Sequence, residues 1–313
     1  KLAVDGVLLI GEHGRFPYNK KGQKLYPRYQ YFKKITDVYR KSGRTAPIFN
    51  DKHLSWKWKW SKEMYDIAQE MKFGFMAGSS LPVARRLPSI DLPYGTGVKE
   101  AVGLWAGGID GGDIHVIEAM QAIIERRKGG ETGIRSVEAF RGDRFMKAVG
   151  AGSWEKGGWD NQLMASAISR SNMLQLVRDD YGVVLPKVAD IRRMAPRSHA
   201  YRFEYTDGTR ATIIQFHGRR GDKKGGILGD CNIAARLDSG KVFSTNMMSS
   251  IILSANRSGS TAWCGPLPIV SMISPRNVRL ASTLLGAIYN DSRSILFAAE
   301  IAKKIARAFD VHP

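Results

Sequence analysis

The chain has 313 residues and a formal net charge of +19, from 48 lysines and arginines against 29 aspartates and glutamates. Its hydrophobic content of 43% is ordinary for a globular protein, and the sequence contains neither an apolar run of membrane-spanning length nor a visible signal peptide. The two cysteines, Cys231 and Cys264, form no CxxC pair, which argues against a disulfide framework and a zinc site, and we interpret them as buried thiols.

Residues 1–82 are predicted to alternate strands with helices. The apolar run 5–11 indicates a first strand, the apolar positions within 31–39 indicate a helix that stops at Gly43, and the segment 46–50 indicates a second strand. Strands that alternate with helices of this length imply right-handed crossovers and a parallel sheet with helices on its faces.

A second helix follows, with Ser55 as its predicted N-cap and Gly74 as the left-handed residue that ends it. Its apolar face consists of Trp60, Met64, Ile67 and Met71. The short apolar segment 73–76 then predicts a third, buried strand. The unit therefore supplies three strands and two helices.

The second strand runs into three ionisable residues, Asp51, Lys52 and His53, and Ser79 follows the third strand. Open parallel sheets bind their ligands at the carboxyl ends of the strands. We therefore expect a ligand site at this edge of the sheet.

The glycine-rich turn of a complete dinucleotide-binding domain, G-x-G-x-x-G between a strand and a helix, is not found. The glycine-rich stretches 103–112 and 218–229 do not have that spacing, and no apolar strand is predicted before either of them. We therefore expect that the chain begins inside a nucleotide-binding domain whose first half is absent. A three-stranded unit that is complete by itself is the alternative.

A second domain, residues 83–313, is predicted after the proline-rich segment 81–94. Asp113 is a suitable N-cap for a helix that runs from Ile114 to about Arg127, and His115 lies in its first turn. The helix dipole disfavours a positive charge there, so a neutral His115 could accept a proton or donate a hydrogen bond. The alternative is a histidine that only packs between domains.

Further along the chain, alternating segments around Asp207-Gly208 predict one hairpin, and segments around Ser239-Gly240 predict another. Helices are expected from Ser274 and from Ile295 onwards. The predicted fold class is α/β: a partial doubly wound parallel (Rossmann-like) sheet, followed by an α+β domain with an open, mainly antiparallel sheet.

The basic residues are spread along the chain, without a helix-turn-helix, zinc-finger or RNP pattern, so we interpret the charge as solvated surface. Packing in the second helix explains the alternating lysines and tryptophans of 57–60. Binding to a polyanion or nucleic acid is an alternative that rests on charge alone. A metal site is not favoured, since no ligand spacing such as H-x-x-x-H links His13, His53, His115 and His217.

These residues resemble the Gfo/Idh/MocA family of NAD(P)-dependent oxidoreductases. Asp51-Lys52-His53 stands where the family has E-K-P, and His115 stands at the histidine of its D-x-x-x-H motif. The turn 205–208 resembles the family's Y-x-D-G, and the segment 274–292 resembles its late helix. The chain departs from the family at Gly111, which replaces the motif's acid.

The resemblance implies that the intact protein, with the missing first half of the nucleotide-binding domain present, transfers a hydride between NAD or NADP and a hydroxyl carbon of a sugar or cyclitol. The catalytic residues would be Lys52 and His115. The substrate-binding residues would be Asp51, His53, Ser79 and Asp113. The cofactor-binding residues would be Gly11, Glu12 and His13.

The alternative is a relative without redox chemistry that binds a sugar-like or anionic ligand in the same cleft. We also expect a homo-oligomer formed through the second-domain sheet, with no specific nucleic-acid partner and no membrane association. A cytoplasmic location is favoured, although an export signal could precede Lys1.

Overall fold

The computed structural model describes residues 2–10, 15–52, 54–79, 81–109, 112–176, 185–218 and 226–248. Within these ranges the chain divides into two compact units, residues 2–79 and residues 81–248. The helices predicted from Ser274 and from Ile295 lie outside the described residues, and the assignment of 83–313 to one domain stays a prediction.

The first unit is a three-stranded parallel sheet with two helices. Its elements in chain order are β1 (Val7–Leu9), α1 (Arg28–Ser42), β2 (Ile48–Asp51), α2 (Trp58–Glu70) and β3 (Phe75–Gly78). The strands lie in the order β1-β2-β3, and Ile48 is the register partner of both Val7 and Phe75. The predicted parallel α/β arrangement is confirmed.

The core of the first unit lies between the sheet and its helices, where Phe32, Ile48 and Met64 are fully buried. The hydroxyl of Tyr39 donates to the carbonyl of Ala46 at 2.9 Å, so this buried polar group is satisfied. Helix α1 ends as predicted, because Gly43 adopts a left-handed conformation with φ of 64°.

Three details of the second helix and third strand differ from the prediction. The N-cap is Lys57, and Ser55 lies before it with its hydroxyl accepting from the Lys57 amide at 3.3 Å. The left-handed residue after α2 is Lys72, with φ of 52°, instead of Gly74. The strand begins at Phe75 because the Phe73 amide still donates to the Ala68 carbonyl at the end of the helix.

The second unit is built on a seven-stranded mixed sheet. Its strands are β4 (Arg85–Leu87), β5 (Val98–Trp105), β6 (Ile134–Arg141), β7 (His199–Tyr205), β8 (Arg210–Gln215), β9 (Cys231–Leu237) and β10 (Val242–Met248). They lie in the order β4-β10-β9-β5-β8-β7-β6, and every neighbouring pair is antiparallel except β5 with β8. This confirms the predicted open, mainly antiparallel sheet.

Helices cover both faces of this sheet. They are α3 (Asp113–Ile124), α4 (Gly142–Ala151), α5 (Asn161–Ile168) and α6 (Val188–Met194). Helix α3 packs on one face, where a Cβ at Gly103 would lie 3.1 Å from Val116 and so would crowd the helix. Val102 and Leu104 flank Gly103 on β5 and so point to the opposite face of the sheet. There they belong to the core around Trp159, which α4, α5 and α6 cover.

Local turn chemistry is confirmed in the two hairpins, where Gly208 and Gly240 have φ of 87° and 82°. Two expectations around α3 are wrong. Gly112 is the N-cap and Asp113 the first helical residue, and the helix ends at Ile124, short of Arg127.

The glycine-rich stretch 103–112 begins within strand β5 (Val98–Trp105), whereas no apolar strand was expected before it. Strand β5 was missed because Lys99, Glu100 and Gly103 interrupt its apolar residues.

None of the helices in the described ranges combines the length and the apolar character that a bilayer span requires.

Candidate active site

Lys52 lies directly after β2, at the carboxyl edge of the parallel sheet. Its amide donates to the Gly78 carbonyl at 2.8 Å, which extends the β2–β3 ladder by one residue. Its ammonium Nζ lies 3.6 Å from Asp51 Oδ2, and its side chain is 15% exposed. The chain therefore holds a partly buried cation, paired with a carboxylate, where an α/β sheet binds its ligands.

Asn50 is a residue of this edge to which the sequence analysis gave no role. Its side chain is fully buried, and Nδ2 donates to the carbonyls of Asp51 and Lys52 at 3.1 and 3.2 Å. Its Oδ1 is buried without a hydrogen-bond partner among the described residues. A buried acceptor of this kind is costly unless a donor reaches it. An asparagine within an otherwise apolar strand was the signal in the sequence.

The other predicted residues of this edge are placed only in part. Ser79 follows β3 and is 7% exposed, and the register of Asp51 with Gly78 puts Lys52 and Ser79 at neighbouring strand ends. Gly11, Glu12, His13 and His53 lie outside the described residues. The assigned roles of all these residues stay predictions.

Asp113 begins α3 in the second unit and is the centre of a buried polar cluster. Its Oδ1 accepts from His199 Nε2 at 2.8 Å and from Gln215 Nε2 at 3.2 Å, and its Oδ2 accepts from the Tyr201 hydroxyl at 2.8 Å. Asp113 is 6% exposed, and its three donors are at most 1% exposed. Both carboxylate oxygens are thus engaged by the protein itself.

His115 lies two residues further along α3 and is half-buried. Its ring packs edge-on against Trp105, with centroids 5.1 Å apart and planes at 81°. The Trp105 indole N–H donates to the Gly229 carbonyl at 3.3 Å. The predicted residues Asp113 and His115 therefore share the first turn of α3, with the His115 ring placed against an anchored tryptophan.

The loop between β5 and α3 is tightly closed. The Gly112 amide donates to the Gly108 carbonyl at 2.8 Å, and a Cβ at Gly112 would lie only 2.6 Å from the Gly107 Cα. A Cβ at Gly108 would approach His217 to 3.2 Å. Burial lowers the pKa of His217, and the positive charges of Arg197 and, when protonated, His199 lower it further. The imidazole beside this loop is therefore favoured in its neutral form.

Comparison with known proteins finds no matching family model and no matching curated protein. Among solved structures, the chain is similar to GenD2 from gentamicin A biosynthesis in complex with NAD, with a TM-score of 0.48 and 10% identity over 98% of this chain and 77% of that one. It is also similar to myo-inositol 2-dehydrogenase from Lactobacillus plantarum, with a TM-score of 0.47 and 8% identity over 98% and 79%.

A further similar structure is the WlbA dehydrogenase from Bordetella pertussis in complex with NADH and UDP-GlcNAcA, with a TM-score of 0.43 and 11% identity over 97% of this chain and 76% of that one. At these identities and TM-scores the likeness carries no functional argument for this chain.

Proposed function

We propose that this protein is a nicotinamide-dependent oxidoreductase that transfers a hydride to or from a hydroxyl-bearing carbon of a sugar or cyclitol. The observation that carries the proposal is the carboxyl edge of the parallel sheet. There the Lys52 ammonium is paired with Asp51, and Asn50, two residues before Lys52, has a buried Oδ1 without a hydrogen-bond partner among the described residues. A cation at this edge suits the hydroxyl oxygens of a polyhydroxylated ligand and the phosphates of a nucleotide.

NAD or NADP is the cofactor that this proposal requires, and the edge residues fit it. With the cofactor bound, Asn50 Oδ1, which has no hydrogen-bond partner among the described residues, would accept an N–H or O–H donor that reaches it, such as a carboxamide or a ribose hydroxyl. Gly11, Glu12 and His13 are the further cofactor-binding residues that we propose. When bound, the nicotinamide supplies the hydride acceptor or donor, and the remaining tasks fall to the protein.

Lys52 stabilises the negative charge that develops on the substrate oxygen, and the Asp51 carboxylate at 3.6 Å helps to hold its ammonium in place. His115 accepts the hydroxyl proton on a ring nitrogen, a role that its position in the first turn of α3 favours because the helix dipole opposes a resident positive charge. Asp51, His53 and Ser79 shape the substrate site.

The second candidate is a relative without redox chemistry that binds a sugar-like or anionic ligand. The ion pair between Lys52 and Asp51 favours it, because a cation that already has a carboxylate partner is less available to an alkoxide. The two candidates differ in one observable property, which is binding of the nicotinamide cofactor.

The test measures the melting temperature of the full-length protein with and without NAD(H) and NADP(H), followed by turnover with sugar and cyclitol alcohols. A ligand that binds only the folded protein raises its melting temperature. We expect a rise with one cofactor and a loss of turnover of about a hundredfold in Lys52→Ala with an unchanged fold.

Lys62→Ala is the matched control, since Lys62 is an exposed lysine of the same unit, paired with Asp66 on α2. Its turnover should equal that of the wild type. No rise with either cofactor, together with a rise caused by a sugar ligand, would refute the redox proposal in favour of the second candidate.

A further inference from the structure

We infer that Asp113, His199, Tyr201 and Gln215 form a buried polar clamp that fixes the first turn of α3 and thereby aims the His115 side chain. The inference rests on the proposed function, in which His115 accepts the substrate proton. In this inference His199, Tyr201 and Gln215 are positioning residues. Asp113, predicted from the sequence as a substrate-binding residue, is a positioning residue as well.

The clamp joins one helix to two strands. His199 and Tyr201 are two residues apart on β7 and so point to the same face of the sheet, and Gln215 on β8 is the register partner of His199. All three place a donor within 2.8–3.2 Å of the Asp113 carboxylate. The first residue of α3 is therefore held by three directional contacts.

Direction is what this arrangement adds over ordinary packing. A buried ionic or polar group seldom improves stability over a well-packed apolar group of the same size, because desolvation opposes its gain. Apolar contacts tolerate small rotations and translations of a helix, whereas three hydrogen bonds to one carboxylate do not. A polar clamp at the start of α3 thus suits a residue whose orientation matters two positions later.

Gln215 extends the clamp to the other end of the β5–α3 loop. While its Nε2 donates to Asp113, its Oε1 accepts from the Gly107 amide at 2.7 Å. Gln215 is also the register partner of Trp105, the residue against which His115 packs. One side chain therefore connects the beginning of the loop, the beginning of the helix and the strand position that supports His115.

The test measures the orientation of His115 directly, by NMR of the imidazole Cε1–H and its pH titration in the full chain. The signal is assigned with His115→Gln. Tyr201→Phe removes one clamp donor and keeps the ring, and Gln215→Met removes the contacts to both Asp113 and Gly107. In both variants we expect the His115 resonance to shift or broaden and its titration midpoint to move by several tenths of a pH unit.

Thr212→Val is the matched control on the same strand. Thr212 is fully buried on the opposite face of β8, and its hydroxyl has no hydrogen-bond partner among the described residues. Valine has the same shape, so the fold and the His115 signal should stay unchanged. Where the enzyme is active, the clamp variants should lower kcat by about tenfold to a hundredfold with little change in KM, and the control should not.

A rescue separates a positioning role from a merely structural one. His199→Gln keeps an N–H donor that can reach Asp113, whereas His199→Leu does not, so only the glutamine variant should retain the wild-type His115 titration. The inference is overturned if Tyr201→Phe and Gln215→Met leave the His115 signal unchanged, or if the two His199 variants behave alike. A response of His115 without any nicotinamide-dependent turnover would support the clamp and refute the proposed function.

Discussion

Replacement of Asp113 by alanine is expected to destabilise the second unit by about 3 kcal/mol or more. The substitution leaves three buried donors, on His199, Tyr201 and Gln215, without their acceptor. Each buried donor that loses its partner costs about 1–3 kcal/mol, and the low end of that range for all three gives about 3 kcal/mol. The lost negative charge at the start of α3 adds about 0.5 kcal/mol.

Asp113→Asn is the matched variant that keeps most of the contacts. Its Oδ1 can still accept from His199 and Gln215, and its Nδ2 can donate to the Tyr201 hydroxyl, which is able to accept. The loss is then limited to the charge-assisted part of these hydrogen bonds, about 1 kcal/mol. The difference in stability between Asp113→Ala and Asp113→Asn therefore reports mainly the cost of leaving the three donors without an acceptor.

Hydrogen exchange of the β7 and β8 backbone amides, followed by mass spectrometry, reports on this unit alone. A loss of 3 kcal/mol accelerates exchange about a hundredfold, and a loss of 1 kcal/mol about fivefold. An alanine variant that exchanges no faster than the asparagine variant would refute the reasoning, because the three donors would then have found other partners.

Two further predictions concern acid sensitivity and thiol reactivity. Burial lowers the pKa of His217 in the folded protein, so its contribution to stability is present at neutral pH and is lost as the pH falls from the unfolded-state pKa of about 6.5 towards the lower folded-state pKa. Between about pH 7 and pH 5, the melting temperature of His217→Gln should therefore fall by less than that of the wild type. An equal fall in both proteins would contradict this prediction. Burial, with the nearby charge of Asp230, strongly raises the pKa of the Cys231 thiol, so Cys231 should resist alkylation until the protein unfolds. Peptide mass spectrometry after iodoacetamide treatment measures the alkylation of Cys231. Alkylation of the folded protein at the rate of a free thiol would disprove the prediction. Cys264 lies outside the described residues.

The features that the sequence predicts well are those set by neighbouring residues. Gly43 ends α1 and Asp207-Gly208 joins β7 to β8, because a left-handed glycine is a local requirement that any fold must meet at those turns. The same holds for the alternation of β7 and for the parallel α/β order of the first unit. At the ends of α2 the local signals compete, and Lys72 takes the left-handed position that Gly74 could have filled.

The buried cluster of Asp113 depends instead on pairing between distant segments. His199, Tyr201 and Gln215 follow Asp113 by 86, 88 and 102 residues, and they meet it only because β7 and β8 pair in one particular register. The alternation of His199 and Tyr201 on one strand face was a visible signal for a shared polar target. The sequence did not identify Asp113 as their shared partner, because an aspartate at the start of a helix is equally typical of an ordinary N-cap.

The central position of β5 has a consequence for the order in which the second unit can assemble. Both neighbours of β5, the strands β8 and β9, are synthesised roughly a hundred residues after it. Until β8 and β9 are synthesised, both hydrogen-bonding edges of β5 lack a partner strand. The hairpins β7–β8 and β9–β10, by contrast, form quickly through local contacts. Lys99 and Glu100 interrupt the apolar residues of β5, and charged side chains within an apolar strand reduce its tendency to aggregate while it has no partner.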